Sequence, residues 1–267
     1  MMAVIRRLTT VLLAALVVTA AAGAEHPAPD GWPLPNLTRT STRAFAGSPI
    51  TPSSVSRLRV LWRFRPAPST SVPTAGESRT LVGTPIVSGA TVYLQDTKSN
   101  VYALNRATGA LRWEHRFRAG NTGRNGLSYS SGSVYGSTDT TVFSLSAETG
   151  RLLWQCRLVT RVEQFVDIAP LIANNLVYTS TVGYPPSGRG ALYVLDAHTG
   201  AVRWKFSTIR GPWRYPNEAG GGGAWYTASI DDQGNLYSGV ADPYPLGGPA
   251  SIQTAALSLA QPSTPTR

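Results

Sequence analysis

Apolar and polar residues alternate along three short stretches of this chain, "NVYALN" (100–105), "TVFSLS" (141–146) and "ALYVLD" (191–196). Alternation built on Val, Tyr, Phe and Leu is the period-two pattern of a half-buried strand. Each stretch runs into nearly the same phrase, "RATGALRW" (106–113), "AETGRLLW" (147–154) or "AHTGAVRW" (197–204). Thr-Gly supplies a tight turn, because Gly takes positive φ without strain, and the residues after it form a strand containing a tryptophan. A further pair of strands precedes each hairpin, in "TPIVSGATVYLQD" (84–96), "LSYSSGSVYGSTD" (127–139) and "APLIANNLVYTST" (169–181), broken by the turn formers Ser-Gly or Asn-Asn. The repeating unit therefore has four antiparallel strands.

Gly109, Gly150 and Gly200 lie 41 and then 50 residues apart, and the insertion "GYPPSGRG" (183–190) accounts for the longer gap. Four strands at this period predict the blades of a β-propeller. A β-sandwich does not explain three turns with matched tryptophans. Period-two spacing places Leu111 with Trp113, Leu152 with Trp154 and Val202 with Trp204 on one face, each Trp wedged against a neighbouring blade. One strand around "RVLWRF" (59–64), the three units, and a fourth opened by "AWYTASIDDQGNLYSGV" (224–240) make about four blades. "ALSLAQPSTPTR" (256–267) reads as a degraded turn phrase without its tryptophan. The blades form either a small closed ring or an arc of a larger one. An arc has an unpaired strand edge at each end, which a second arc in a homodimer could cover.

Composition changes this picture little: 42% hydrophobic and 14% charged residues suit a packed globule. Residues 1–24 stand apart. Arg6 and Arg7 precede the apolar run "LTTVLLAALVVTAAAGA", which ends in Ala22-Gly23-Ala24, so a secretory signal cut after Ala24 is expected, leaving no transmembrane segment and an exported or periplasmic product. The assignment is then a signal peptide (1–24), an extended segment (25–55), blades (56–250) and an irregular tail (251–267). The net charge of +10 is almost all arginine, with Lys98 and Lys205 the only lysines. It is scattered, without the basic stripe or aromatic platform of a nucleic-acid binder, and fits a solvated surface or a cell-envelope partner.

Isolated chemistry is sparse. Cys156, the only cysteine, lies in "LLWQCRL" and reads as a small strand hydrophobe. His26, His115 and His198 are far apart in sequence, and His198 occupies a turn position that is Ala107 and Glu148 in the other copies. "GLSYS" (126–130) lacks the closing Gly of a hydrolase elbow. "DDQGN" (231–235) reads as a hairpin turn rather than a metal loop.

These residues resemble the repeats with tryptophan-docking motifs of the pyrroloquinoline quinone (PQQ) propeller family, the quinoprotein alcohol dehydrogenases and their relatives. The resemblance runs from about residue 32 to 242. "ITPSSVSRLRVLWRF" (50–64) is similar to the segment entering the first blade, and "RGALYVLDAHTGAVRWKFSTIRG" (189–211) to a later blade. "GGGGAWYTASIDDQGNLYSGVADP" (220–243) is similar to the family's glycine-rich Trp motif. The resemblance implies that Trp225 stacks under the cofactor ring, that Gly220, Gly221 and Gly222 form its loop, and that Asp242 takes the place of an Asn calcium ligand. An electron-poor quinone gains from an indole face, and glycines let backbone N–H groups approach its carboxylates. Trp225 as an ordinary inter-blade packer is the alternative. The implied site is a shallow axial pocket lined by Trp225, Gly221 and Gly222, with Asp242 at its rim.

Departures are equally specific. The family's calcium-binding Glu falls on Pro185, its disulfide of adjacent cysteines is impossible with one Cys, and its catalytic Asp belongs beyond residue 242. The expectation is an exported binding or scaffold propeller related to the dehydrogenases. The alternative is a PQQ- and calcium-dependent alcohol or sugar dehydrogenase whose remaining blades lie outside this chain.

Overall fold

The computed structural model describes residues 31–45, 47–66, 81–121, 126–184, 188–209, 220–242 and 255–259. The expected signal, Pro185 and residues 251–254 and 260–267 lie outside them. Sixteen strands are found among the described residues. The first sheet is β1 (Leu81–Ser88), β2 (Thr91–Asp96), β3 (Val101–Asn105) and β4 (Leu111–His115), antiparallel and in sequence order. The second has the same order: β5 (Ser128–Ser130), β6 (Ser133–Ser137), β7 (Thr141–Ser146) and β8 (Leu152–Arg157).

In the third sheet β9 (Gln164–Phe165) pairs the far end of β11 (Leu176–Gly183), which otherwise lies between β10 (Leu171–Ala173) and β12 (Ala191–Asp196); β13 (Val202–Ser207) is outermost. The fourth is β14 (Ser229–Ile230), β15 (Leu236–Val240) and β16 (Ala255–Leu259). These are the blades of an all-β propeller arc. Two expectations change. Residues 59–64 belong to no strand, and the tail expected to be irregular contributes β16.

The turns form where the residue types allow them. Ser131 and Gly132 between β5 and β6, and Asn174 and Asn175 between β10 and β11, all have positive φ, as a type I′ hairpin requires. Inner strands are buried: β2 and β10 throughout, and all but the last residue of β3. The outer strands β4, β8 and β13 are half-exposed. This ordering follows from stacking sheets around an axis, where β5 touches both β1 and β10.

Apolar layers fill the space between successive blades. Tyr93, Val101 and Ala103 of the first meet Val134, Phe143 and Leu145 of the second. Val142 of the second meets Val177 and Leu195 of the third. Tyr178, Leu192 and Val194 of the third meet Ile230 and Leu236 of the fourth.

The repeated tryptophans tie each layer shut. Trp113 Nε1–H donates to Ala147 O (3.0 Å) and Trp154 Nε1–H to Ala197 O (2.9 Å), both in the Thr-Gly turn of the next blade. The same two carbonyls also accept from Tyr93 OH and Tyr135 OH. Burial pushes the pKa of both tyrosines up, which keeps the phenols protonated as donors. The indole lies so close over the turn that a Cβ on Gly150 would meet the Trp113 ring at 2.6 Å, and one on Gly200 would meet Trp154 at 2.5 Å. Gly is required there twice over, because φ is +72° and +74° as well.

Leu and Trp of the phrase do not share a face. The register shifts between Ala103↔Trp113 and Leu104↔Leu111, and identically between Ser144↔Trp154 and Leu145↔Leu152, and between Val194↔Trp204 and Leu195↔Val202. A β-bulge inserts one residue and breaks the period of two. Leu152 consequently packs toward the first blade and Trp154 toward the third.

A fourth tryptophan does the same work without a Thr-Gly phrase of its own. Trp62 Nε1–H donates to Arg106 O (2.9 Å), and a Cβ on Gly109 would meet its ring at 2.6 Å. With Phe64 it covers the outer face of the first blade, packing on Val92, Leu94, Tyr102 and Leu104.

The segment before it, expected to be extended, folds into turns that cross three blades. Trp32 exchanges two backbone hydrogen bonds with Val87, Pro33 O accepts from Tyr129 N–H, and Arg39 O accepts from Ile230 N–H. Leu34 and Leu37 are buried beneath it.

Replacing Trp113 by Ala is expected to lower the unfolding free energy by about 3 kcal/mol, the usual cost of truncating a large packed aromatic. Gly89 provides the control for glycine: its φ is +53° but no atom lies within 4 Å of an added Cβ. Gly89→Ala should cost about 1 kcal/mol of backbone strain, and Gly150→Ala at least twice as much. Urea denaturation of the three variants tests the ranking.

Candidate functional site

The blades converge on a cleft of about 230 Å³ at the axis. Its wall comes from the residues that lead into, or begin, the innermost strands: Gly83 and Thr84, Gly126, Ile168 and Ala169, and Trp225 to Thr227. Pro35, Asn36 and Arg43 of the crossing segment complete it. Gly126 stands between the neighbouring blades here, where a Cβ on it would make ordinary van der Waals contact with the Ala169 methyl (3.4 Å) and Gly83 Cα (3.5 Å).

Hydrogen bonds between blades fix this wall. Gln95, Ser137 and Ser180 stand at one position of a Val-Tyr-x-[Gln/Ser] phrase in three successive blades. Gln95 Nε2–H donates to Ser137 O (2.8 Å), Ser137 OH to Ile168 O (3.2 Å) and Ser180 OH to Ala224 O (2.7 Å). All three side chains are buried, so each bond satisfies groups that would otherwise be costly to bury. Thr227 OH adds a bond to Ala169 O (2.9 Å) across the cleft wall. Repetition of that phrase was the sequence signal for this relay.

Trp225 is half-buried, with its ring set against Phe165 (6.0 Å between centroids, 64° between planes) and Tyr184 (6.2 Å). Tyr226 beside it is 70% exposed. Arg43 holds positive φ (52°) and its Nε–H donates to Asn36 Oδ1 (2.9 Å), which in turn donates from Nδ2 to Ser41 Oγ (3.3 Å). Among the described residues the cleft lining therefore combines an indole, a phenol, a guanidinium and neutral polar groups, with no carboxylate. Neither Arg43 nor Asn36 carried a signal in the sequence, since only the crossing of residues 31–43 brings them to the axis.

The glycines lie elsewhere. Gly221 N–H donates to Gly188 O (3.0 Å) and Gly222 N–H to Asp242 O (3.2 Å), so these amides serve the protein backbone. Gly190 and Gly222 pack so closely that a Cβ on Gly190 would fall 2.1 Å from Gly222 O. Thr208 Oγ1 lies within hydrogen-bonding distance of both carbonyls, 2.8 Å from Gly190 O and 2.6 Å from Gly222 O, and its single O–H is shared between them. Gly220 is buried too. Gly220, Gly221 and Gly222 are not among the described residues that line this cleft.

Asp242 shares this backbone cluster through its carbonyl, but its side chain is exposed and it is not part of the lining either. Calcium takes six to eight oxygen ligands. No three His, Cys, Asp or Glu side chains gather among the described residues, and Asp242 by itself does not fit such a site. The position of the family's Glu, Pro185, has no carboxylate and lies outside the described residues.

The other candidates take structural places. Cys156 is half-buried in β8 against the layer between the second and third blades, and burial pushes its thiol pKa up, away from the reactive thiolate. His198 N–H caps onto Asp196 Oδ1 in its turn, and His115 Nδ1 meets Gly150 O at 2.8 Å. The Arg203 guanidinium and the turn amides hold Asp196 well below the ordinary carboxylate range.

"DDQGN" forms the expected turn. Asp231 accepts from the N–H groups of Gln233 and Asn235, from Asn235 Nδ2 and from Tyr237 OH. "DTKSNVY" (96–102) in the first blade repeats it around Asp96.

The sequence matches the PQQ family, described as glucose/ethanol/alcohol dehydrogenase, beta-propeller domain, over residues 32–245, and the chain belongs to that family. It is 29% identical over 208 residues to the dehydrogenase subunit of the quinone alcohol dehydrogenase of Gluconacetobacter polyoxogenes, covering 72% of this chain and 27% of that protein. To the lanthanide-dependent methanol dehydrogenase of Methylacidiphilum fumariolicum (strain SolV) it is 28% identical over 191 residues, 66% of this chain and 30% of that one.

The fold matches a europium-containing methanol dehydrogenase with a TM-score of 0.68 at 22% identity, over 82% of this chain and 43% of the other. The quinohemoprotein alcohol dehydrogenase of Comamonas testosteroni gives 0.69 at 19% identity, over 83% and 37%. The chain thus spans between a quarter and a third of the length of these two curated relatives.

The Asp231 carboxylate, held by hydrogen bonds from Asn235 first, has its pKa lowered to about 2. A lowered folded pKa means its contribution is complete above the unfolded value, about 4, and is lost as pH falls through about 2. A carboxyl-carbon NMR titration should place its midpoint near 2; a midpoint near 4 would show that the turn does not hold the carboxylate.

Proposed function

We propose that this chain is an exported binding propeller of the quinoprotein family, whose axial cleft holds a planar anion such as PQQ without forming a dehydrogenase site by itself. One observation carries this reading: the cleft presents an indole, a phenol and a guanidinium, and the described residues of its lining include no carboxylate to act as base or metal ligand. The group set fits a flat quinone bearing carboxylates. Trp225 would stack on the ring, Arg43 would pair a carboxylate, and Asn36, Thr84 and Thr227 would supply neutral hydrogen bonds. PQQ, when bound in a dehydrogenase, supplies the electron-accepting quinone; none of the described lining residues is a carboxylate that would serve as the accompanying base. The tryptophan contacts between blades are read as the family's docking motif, serving to keep the cleft wall rigid. Export rests on the charged and apolar pattern of residues 1–24, and a protein or cell-envelope partner is the natural extension of a scaffold role.

The second reading is a PQQ- and calcium-dependent alcohol or sugar dehydrogenase completed by blades outside this chain. It is favoured by one fact, that the similarity to the quinone alcohol dehydrogenase covers 72% of this chain but only 27% of that protein.

Titration with PQQ, followed by tryptophan fluorescence with and without calcium, separates the two. Saturable quenching independent of calcium is expected. It should be lost in Trp225→Ala and about tenfold weaker in Arg43→Ala, matching one charge-assisted hydrogen bond. Quenching that requires calcium, together with dye reduction by alcohols, would establish the dehydrogenase reading instead. Absence of saturable binding would exclude the cleft as a quinone site.

A further inference from the structure

The guanidinium of the axial cleft belongs to a segment whose backbone is strained. Leu37, Ser41 and Arg43 have φ of 73°, 57° and 52°. The left-handed region is costly for any residue with a Cβ, and most of all for one as bulky as leucine. Outliers of this kind persist only where the surroundings over-determine them, and they gather at ligand clamps and active sites.

Contacts hold this turn from several sides. Leu37 is buried, and its N–H donates to Leu34 O, as Ser41 N–H does to Thr38 O, both at 3.0 Å. Thr42 N–H donates to Thr38 Oγ1 (3.2 Å). Arg39 ties the turn to the fourth sheet twice: its carbonyl accepts from Ile230 N–H (2.8 Å), and its guanidinium pairs with Asp232 (2.7 Å).

Asn36 joins this anchored turn to Arg43. Its carbonyl accepts from Arg43 N–H (3.1 Å) and its Oδ1 from Arg43 Nε–H (2.9 Å). Its Nδ2–H donates to Ser41 Oγ (3.3 Å), and Ser41 Oγ meets Ser229 Oγ of β14 at 2.8 Å. A relay of side chains therefore runs from the cleft guanidinium to the fourth sheet. With Nε committed to a neutral acceptor, the Nη groups are the Arg43 donors left for a ligand, and their paired N–H bonds match the two oxygens of a carboxylate. An acidic residue at position 36 would satisfy the same Nε–H but cancel the charge.

We propose that Asn36 is a positioning residue that fixes Arg43 as an end-on receptor for one carboxylate of the ligand in the cleft. The inference rests on the reading of the cleft as a site for a planar anion, and it adds the residue that orients the charge and the ligand group that the charge selects. Asn36 acts through Arg43, while its second Nδ2 N–H stays available to the ligand.

The test titrates PQQ and its trimethyl ester into the unsubstituted chain, Asn36→Ala and Asn36→Asp, followed by tryptophan fluorescence. The acid should bind about fivefold weaker in Asn36→Ala and at least about tenfold weaker in Asn36→Asp, where the guanidinium is neutralised. Affinity for the ester should be the same in all three. In the ligand-free chain, NMR of the arginine Nε–H groups should show slow exchange at Arg43 that becomes fast in Asn36→Ala.

Equal losses for acid and ester would mean that Asn36 only supports the cleft wall, and would overturn the positioning role; so would unchanged affinity for the acid in both variants. If the unsubstituted chain binds no PQQ, the quinone reading of the cleft fails by itself, and benzoate decides the role of Asn36. A shift of the Arg43 Nε–H signal with benzoate that is lost in Asn36→Asp sustains the proposal, and an unmoved signal overturns it. If the variants fail to fold, the unsubstituted chain suffices: an Arg43 Nε–H that exchanges slowly and shifts with benzoate sustains the role, and one that exchanges fast or stays unmoved excludes it.

Discussion

Everything in this propeller depends on an indole ring lying flat against a glycine in the next blade. Sheets pack face to face through apolar layers that are non-directional and could slide. The Trp–turn contact adds direction: one ring, one glycine with no room for a Cβ, and one carbonyl at a fixed distance. The bulge before each Trp turns the side chain from the face that Leu occupies to the face that meets the following blade. Without the bulge, Leu and Trp would pack on the same neighbour and the chain of contacts around the axis would stop. Tyr93 and Tyr135, donating to the same two carbonyls, show that each turn is gripped from two strands.

The same repetition, read nearer the axis, holds the cleft. Gln95, Ser137 and Ser180 hand a hydrogen bond from blade to blade and so set the distance between the residues that line it. The crossing of residues 31–43 delivers Arg43. The cleft is therefore a product of the blades' regular spacing and of one irregular segment laid across them. Its charge comes from that segment. The glycine-rich loop serves a different need, the close approach of Gly190, Gly222 and Asp242 backbones.

Much of the fold was legible because its causes are local and repeated. Thr-Gly turns, Ser-Gly and Asn-Asn hairpins and period-two strands are consequences of φ preference and one-sided burial, and each recurs at matched positions. The site was less legible. Trp225 could be picked out through a motif, and it does line the cleft, but the role assigned to Gly221 and Gly222 depended on where their amides point. That direction is set by Gly188 and Asp242, residues distant in sequence. Trp62 was readable as a strand residue and not as a docking residue, because its own Thr-Gly phrase is missing. The bulge was invisible because a single inserted residue leaves composition and alternation almost unchanged.

By itself, then, the sequence determined the blade: its four strands, its turns, the residue that must be Gly and the one that must be Trp. These are matters of backbone conformation and nearest-neighbour burial, which a short window contains. The tertiary structure alone decided which face each Trp takes, which side chains reach the axis, and that residues 58–65 stand without a ladder while β16 has an edge unpaired among the described residues. Those outcomes depend on the curvature of the arc and on contacts between segments dozens to nearly two hundred residues apart, such as Arg39 with Asp232. A local pattern carries no information about which distant partner satisfies it.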